Sequence, residues 1–231
     1  MAQTSRTAIR PRLDSGQQEA LRWLAILAMA IDHVGAIVLP ADVAQPLRFV
    51  GRVAWPLFAF LMAYNVAARG VDPRRYLAPL LLWGAIAQLP HYLAFDVFVV
   101  SILGTLFLAA SALVLLQAGM ERRLAPHVQI GGLIGIALLS TQVEYGPTGV
   151  ALVIAMWWAV RSGTAAAWLV AVLLTALVNY PSPNWPAALL ALPLAFLAGS
   201  LPVRLPRSGR LPWVFYPAHL LALWLISLLS A

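Results

Sequence analysis

Long apolar segments separated by short polar connections recur from about residue 20 to the C-terminus. A transmembrane helix needs about 20 mostly apolar residues, because each residue rises about 1.5 Å and the hydrocarbon core of a bilayer is about 30 Å thick. The pattern predicts about nine helices, at residues 20–39, 48–68, 76–95, 98–118, 128–141, 147–161, 164–178, 187–201 and 211–229. Three of these, at 128–141, 147–161 and 164–178, are too short for a perpendicular span, so the count is open by about one pair.

The arginine residues predict how these helices are oriented. Short cytoplasmic connections collect basic residues and outer connections do not. With a cytoplasmic N-terminus, the connections on the inner side hold Arg69, Arg74, Arg75, Arg122, Arg123, Arg161, Arg204, Arg207 and Arg210. The connections on the outer side hold Asp42, Asp96, Glu144 and the proline-rich segment 179–186. Only Arg48 and Arg52 break this alternation.

The pattern therefore predicts an all-α, polytopic protein of a bacterial inner membrane. Residues 1–19, which include Arg6, Arg10 and Arg12, are expected to form a cytoplasmic N-terminal arm, and residues 20–231 a single transmembrane domain. All fifteen basic residues are arginine, a bias that is typical of GC-rich bacterial genomes.

Composition excludes several other classes of protein. The chain is 62% apolar and only 10% charged, whereas soluble domains are about half apolar and about a quarter charged. The absence of cysteine excludes disulfides, thiolate nucleophiles and cysteine-ligated metals, and we expect no metal site. The net charge of +7 comes from arginines that flank helices, so we expect membrane lipid, and no nucleic acid, as a partner.

Polar groups within the apolar segments identify a candidate site. An ionisable side chain costs at least a few kcal/mol at bilayer depth, so each one needs a partner or a water-filled cavity. These residues lie mostly in the predicted outer half, where helices can bring them together: Asp32, His33, Arg52, Gln88, His91, Glu144 and His219.

The first predicted helix carries two of the most informative residues. Arg22 and His33 are eleven residues apart, which is close to three full turns, so both lie on one face about 16 Å apart along the axis. One helix could thus hold both ends of a long ligand, with Arg22 at a phosphate and His33 at a reactive group, as an enzyme that uses acyl-CoA would need. Alternatively, Arg22 is only a positive-inside anchor.

Asp32 and His33 point about 100° apart on the helix, so they cannot form a simple dyad. The connection at 40–47 makes the first two helices antiparallel neighbours and could place Arg52 beside Asp32 as a buried ion pair. In the alternative, Arg52 binds an oxyanion or a phosphate. Pro56 is expected to kink the second helix just below Arg52.

The other histidines have open interpretations. His91 follows Pro90 at a helix end, where it either meets water or contributes to the site. His219 is either a core residue or part of the site, and His127 lies in an arginine-rich connection and is expected to be solvated.

At these residues the chain resembles the TraX family, membrane proteins associated with acetylation of the N-terminus of F-type pilin. Its motifs stand in order at 31–36 (IDHVGA), 51–60 (GRVAWPLFAF), 75–77 (RYL) with 88–90 (QLP), and 215–220 (FYPAHL). The spacing of Arg22 and His33 is also similar to that in the wider transmembrane acyltransferase 3 group. Arg22 stands where many TraX-like chains carry lysine, and Gln88 where serine is more usual.

The resemblance implies an enzyme that transfers an acyl group to an amine or a hydroxyl. The expected co-substrate is cytoplasmic acetyl-CoA or another acyl-CoA, and the acceptor, near the periplasmic face, is a pilin-like protein, a glycan or a lipid. The catalytic residues would be His33 as general base, with Asp32, Arg52 and His219, while Arg22 and Arg75 would bind CoA. Substrate contacts are expected from Arg48, Gln88, His91, Glu144 and Tyr145. The chief alternative is a small transporter or flippase that uses the same cluster as a proton or anion site, and a third is a non-catalytic assembly scaffold.

Overall fold

The computed structural model describes residues 8–202 and 205–230, and within these ranges the fold is all-helical. Arg6 and Arg204, both assigned to the inner side above, lie outside the described residues. The helices are α1 Ser15–Ile37, α2 Ala41–Gly51, α3 Ala54–Ala68, α4 Arg74–Phe95, α5 Ile102–Met120, α6 Pro126–Leu139, α7 Gly146–Ser162, α8 Ala165–Leu177, α9 Trp185–Ala188, α10 Ala191–Ala198 and α11 Leu211–Ser230. A single 3₁₀ turn at Ser140–Gln142 precedes α7.

Among the described residues, five helical segments are long and apolar enough to cross a membrane. They are Ser15–Ile37, Ala41–Ala68, Arg74–Phe95, Ile102–Met120 and Leu211–Leu229. Leucines on α4 and α11 face outward, among them Leu81, Leu89 and Leu225. The chain is therefore a membrane protein, while the nine crossings and the orientation of the N-terminus stay predictions.

Helix α1 begins at Ser15, five residues before the helix start expected at residue 20. The cause is local, because Asp14 and Gln17 form a capping box. The Asp14 carboxylate accepts the backbone N–H of Gln17 at 2.8 Å, and the Gln17 side chain accepts the N–H of Asp14 at 2.9 Å. The helix start predicted from hydrophobicity alone lies after this polar first turn and so missed it.

Residues 8–14 form a strap across the end of the molecule at which α1 begins. The backbone of Ile9 donates to Gly163 at the α7–α8 turn and accepts the indole N–H of Trp168, both at 2.9 Å. Further along, the N–H of Leu13 donates to the hydroxyl of Tyr64 on α3 at 2.8 Å. The strap is thus hydrogen-bonded to helices far away in sequence.

The second predicted helix is two helices in the structure. The connection expected at 40–47 is mostly helical, since α2 begins at Ala41, and the chain breaks between Gly51 and Ala54 instead. Pro56 does not kink a continuous helix; it lies in the first turn of α3, where a missing N–H leaves no intrahelical bond unmade. This break turns Arg52 towards α1.

The core lies between α3, α5 and α7, whose contacting faces bury Trp55, Phe60, Leu113, Leu152 and Met156. Helix α1 packs on α2, α3 and α11, and α4 packs on α5 and α11. As a result, the C-terminal half of α1, the α2–α3 break, the end of α4 and the middle of α11 meet at one end of the molecule. We call this the His33 end, and the opposite end of α1 the Arg22 end.

Candidate functional site

Two histidines from the first and last helices contact each other at the His33 end. His33 Nδ1 lies 2.8 Å from His219 Nε2, and His219 Nδ1 lies 2.9 Å from the backbone oxygen of Phe215. A carbonyl oxygen can only accept, so His219 Nδ1 must donate to it. In the neutral pair His219 Nε2 then accepts from His33 Nδ1–H, which leaves His33 Nε2 as the unprotonated, basic nitrogen.

Aromatic rings hold this pair in place. Phe95 meets the His33 ring edge-on with centroids 5.2 Å apart, and Phe215 stacks on His219 at 4.8 Å. His33 is only 7% exposed. The rings therefore have little freedom to rotate, and the hydrogen-bond direction from His33 through His219 to Phe215 is fixed by packing.

Asp32 forms the ion pair with Arg52 that the sequence predicted. Arg52 Nη2 lies 2.9 Å and 3.2 Å from the two carboxylate oxygens of Asp32, and Arg48 Nε lies 3.6 Å from the nearer one. Arg52 Nε also donates to the backbone oxygen of Arg48 at 3.2 Å. The two arginines pair with Asp32 and orient its carboxylate.

Glycine at position 51 makes this approach possible. A Cβ atom at Gly51 would lie 2.1 Å from the Cβ of Asp32, so α1 and α2 could not pack at this distance with any larger residue. The importance of Gly51 is a steric one that the sequence motif contained but did not explain.

Glu144 lies on the connection before α7 and faces the same region. One of its carboxylate oxygens accepts the backbone N–H of Ile102, the first residue of α5, at 2.9 Å, and lies 3.8 Å from His91 Nε2. Crowding by neighbouring atoms removes water from the carboxylate and raises the pKa of Glu144 to about 7, with the Asp32 charge adding to the rise and the Ile102 N–H and Arg52 opposing it. About 30% of the side chain stays accessible, on a connection that lies outside the segments long enough to span a membrane.

His91 is buried, with 2% exposure, so of its two open interpretations the one in which it meets water is wrong. Helix α4 runs on past it to Phe95, whose ring centroid lies 5.0 Å from that of His91, and α4 packs against α11. Among the described residues, no three histidine or carboxylate side chains converge as metal ligands would.

Gln88 bonds to the backbone of the loop before α5. Its amide nitrogen donates to the backbone oxygen of Val99 at 2.9 Å, and its amide oxygen accepts the N–H of Ser101 at 3.1 Å. Val100 in turn exchanges backbone hydrogen bonds with Gln142 and Glu144, both at 2.9 Å. These contacts fix the loop before α5 and with it the N–H that holds Glu144.

Two neighbouring cavities lie along α1. The smaller one, about 10 Å³, lies at the His33 end and has walls from Asp32, His33, Gly51, Glu144 and Tyr145 among others. The larger one, about 300 Å³, is mostly apolar and extends from Arg22, Asn65 and Tyr76 along α3 and α5. Three residues belong to the walls of both cavities: Met29, Ile102 and Tyr216.

The predicted CoA ligands differ in their placement. Arg22 lines the apolar cavity at the Arg22 end, where it also pairs with the buried carboxylate of Glu19 at 2.6 Å. Arg75 is exposed at the start of α4 and lines neither cavity. A further polar cavity of about 410 Å³ at the ends of α3, α5 and α7 contains none of the predicted site residues.

The other predicted residues gather at the His33 end. Tyr145 stacks on Trp55 with ring centroids 4.4 Å apart, and Arg48 flanks Asp32. Sequence reasoning did not identify Met29, Ile102 and Tyr216 as wall residues. Tyr216 stands three residues before His219 in the 215–220 motif, a spacing that places both on neighbouring positions of one helical face, and this signal could have identified it.

Comparison with known proteins decides the family. A family model described as "TraX protein" matches residues 17–227 of this chain. The chain belongs to the TraX family. The resemblance drawn from the motifs is thereby confirmed.

Relatives of this TraX-family chain match over part of their lengths. A Dichelobacter nodosus protein named "Probable fimbrial assembly protein FimC, serogroup H1" is 30% identical over 65% of this chain and 66% of its own length. "Protein TraX" of Escherichia coli is 32% identical over 34% of this chain and 31% of its own length. The matched region thus spans about two thirds or less of these relatives. No solved structure matches the chain.

Proposed function

We propose that this protein is an acyltransferase of the bacterial inner membrane that moves an acyl group, most simply acetyl, from cytoplasmic acyl-CoA to an amine near the periplasmic face. The observation that carries the proposal is that the apolar cavity at Arg22 and the small polar cavity at His33 are neighbours with three wall residues in common. This arrangement suits acyl-CoA, which carries its thioester at the tip of a long, flexible arm.

The dimensions of α1 support the first part of this proposal. Arg22 and His33 are separated by eleven residues, or about 16 Å along the helix. CoA carries its phosphates at one end of an extended arm and its thioester at the other. Arg22 would contact a phosphate at the cavity mouth, and the walls of Met29, Leu61 and Leu106 would pack on the arm.

The histidine pair supplies the base. His33 Nε2 would accept a proton from the acceptor nitrogen as that nitrogen attacks the thioester carbonyl, while His219 accepts from His33 Nδ1–H and steadies the imidazolium that forms. The proton then passes from His33 to the departing thiolate of CoA. The hydrogen bonds from His33 to His219, and from His219 to the backbone oxygen of Phe215, orient His33 as a buried carboxylate orients the histidine of a catalytic triad.

We assign the developing oxyanion to the tyrosines of the small cavity, Tyr145 and Tyr216, whose hydroxyl groups are the neutral donors available on its walls. Arg52 does not line this cavity, and its guanidinium is held by Asp32 and by the Arg48 backbone. Its function in this mechanism is to hold the Asp32 carboxylate in place.

The acceptor follows from the family and from charge. One relative is named for fimbrial assembly, and the TraX resemblance associates the family with acetylation of a pilin N-terminus. The small cavity is lined by Glu144, a carboxylate that is not paired with an arginine as Asp32 is, and this carboxylate would attract an ammonium group. We therefore favour the amino terminus of a pilin-like protein over a glycan or a lipid hydroxyl.

The test is transfer of label from radiolabelled acetyl-CoA to a pilin-like peptide by the purified protein in detergent. We expect His33→Ala to lose about 10²–10⁴-fold in rate, as removal of a general base does. His127→Ala, the same substitution at an exposed histidine, is the matched control and should keep its activity. If wild type leaves all label on CoA, as a transporter or a scaffold would, or if His33→Ala transfers at the wild-type rate, the proposal fails.

A further inference from the structure

We propose that Glu144 is a second catalytic base, which removes the first proton from the acceptor ammonium before His33 removes the next. This inference rests on the proposed acyltransferase function and adds a residue whose catalytic role the family motifs do not contain. It also assigns a proton-transfer step to a carboxylate that the mechanism above uses only to attract the ammonium group.

The need for a second base follows from the chemistry of amines. An α-amino group has a pKa of about 8 and arrives mostly as an ammonium ion, which has no lone pair for attack. It must lose one proton to become a nucleophile and a second as it forms the amide. His33 Nε2 offers a single lone pair, which the second proton requires.

Glu144 is placed to take the first proton. It lines the same small cavity as His33 but approaches from the α7 side, whereas His33 comes from α1. The Ile102 N–H at 2.9 Å holds one carboxylate oxygen, so a neutral donor orients the carboxylate. Its accessible fraction of 30% gives the proton a way out to water.

Asp32 is the other carboxylate of the cavity, and both of its oxygens are already occupied. They accept hydrogen bonds from Arg52 Nη2, and Arg48 Nε stands 3.6 Å from one of them, so they are less available to an incoming ammonium group. The burial that raises the pKa of Glu144 to about 7 instead brings it close to that of the amine it serves. The titratable and charged groups around Glu144 are Asp32, His33, Arg48, Arg52, His91, Tyr145, Tyr216 and His219.

The steps balance. The ammonium transfers a proton to the Glu144 carboxylate and becomes a neutral amine. Its nitrogen then bonds to the thioester carbon, His33 takes the second proton, and the carbon–sulfur bond breaks. CoA leaves as the thiol with the proton from His33, and Glu144 returns its proton to water.

The test compares two acceptor peptides that differ only at the amino terminus. One ends in an ordinary α-amine and the other in an aminooxyacetyl group, which is neutral at pH 7 and needs no first deprotonation. For Glu144→Gln we expect a loss of about 10²-fold with the α-amine, because a general base is removed. With the aminooxy peptide we expect a loss of no more than a few-fold, and raising the pH should partly restore transfer to the α-amine.

Controls separate this inference from a structural role. The Glu144→Gln substitution keeps a side-chain oxygen for the Ile102 N–H, and Glu121→Gln makes the same change at an exposed carboxylate that pairs only with Arg123 among the described residues. An equal loss with both peptides, or no loss with either, contradicts the assignment. If the Glu144→Gln protein does not accumulate, the dependence of the wild-type kcat on pH is measured with each peptide instead. We expect an ionisation near pH 7 with the α-amine peptide that is absent with the aminooxy peptide. Identical pH profiles for the two peptides would contradict the role of Glu144. Wild type inactive with both peptides refutes the proposed function itself.

Discussion

The tautomer of His33 is set by a residue that the sequence gives no reason to connect with it. His219 is 186 positions away, and only the packing of α11 against α1 brings the two rings to 2.8 Å. Sequence reasoning could select both histidines, because a titratable group in an apolar segment needs an explanation. It could not pair them, since no local pattern encodes which distant helices meet. The Asp32–Arg52 pair could be predicted because its two helices are consecutive.

At the residue scale, Arg22 is expected to act in binding more than in turnover. For Arg22→Ala we expect the KM for acyl-CoA to rise about five- to tenfold with kcat little changed, because a phosphate contact far from the carbonyl stabilises ground state and transition state alike. The expected rise in KM is small for the loss of a charged hydrogen bond, because Glu19 already compensates part of the Arg22 charge.

Arg75→Ala is the matched comparison for Arg22, since Arg75 is exposed and lines neither cavity. Steady-state kinetics at varied acyl-CoA concentration measure both variants. An unchanged KM in Arg22→Ala, or a larger rise in Arg75→Ala, would remove Arg22 from the CoA site.

Glu144 also predicts how stability depends on pH. Its pKa is about 7 in the folded protein against an ordinary 4.5, so the ionised form is the less favourable one in the fold. The contribution of Glu144 to stability is therefore complete below pH 4.5 and is lost as the pH rises through 7. We expect the Tm of wild type, measured against Glu144→Gln in the same detergent, to fall over this window. A constant difference in Tm between about pH 4.5 and 8 would contradict the raised pKa.

At the scale of helices, α1 and α2 approach closely because glycine stands at two contact positions. A Cβ on Gly35 would meet the Ala44 backbone oxygen and the Leu47 Cβ at 3.2 Å, and one on Gly51 would overlap Asp32. Small residues at such positions allow membrane helices to pack with their backbones near each other. Here the close packing also sets the position of the carboxylate in the site.

Gly51→Ala should therefore destabilise the protein by about 1–3 kcal/mol, as overpacking does, and should disturb the Asp32–Arg52 pair and lower acyl transfer. The control is Gly131→Ala in α6, where an added Cβ meets nothing within 4 Å. There we expect a gain of up to about 1 kcal/mol, because alanine favours the helix over glycine. Unfolding in detergent and acetyl transfer measure both variants, and equal stabilities would show that the α1–α2 contact tolerates a side chain.

Hydrophobic length found the helical segments but not where they divide. Each predicted segment overlaps a helix of the structure, because apolar runs must be helical in a bilayer. The break at 52–53 was missed because the residues on both sides of it are mostly apolar. By hydrophobicity alone they form one continuous segment with the run from Val53 to Ala68. The early start of α1 was missed because its first turn is polar and is fixed by a cap instead of by burial.

For the whole molecule, the orientation in the membrane is predicted from the distribution of arginines among the connections. Reporter fusions should place residues 70–75 and 205–210 in the cytoplasm and residues 179–186 outside. The apolar cavity then opens towards the cytoplasm, where acyl-CoA is found, because Gly209 and Tyr76 stand at its Arg22 end. Labelling of residues 205–210 by a reagent that cannot enter intact cells would reverse this orientation.

The histidine pair has a consequence for biosynthesis. Helix α1 leaves the ribosome long before α11, and the His33 tautomer with an unprotonated Nε2 is fixed only when α11 has inserted beside α1. The strap at residues 8–14 likewise waits for Gly163 and Trp168. A nascent or prematurely terminated chain should thus be unable to transfer acyl groups, however well its early helices insert. Insertion of α11 becomes the step that fixes the base.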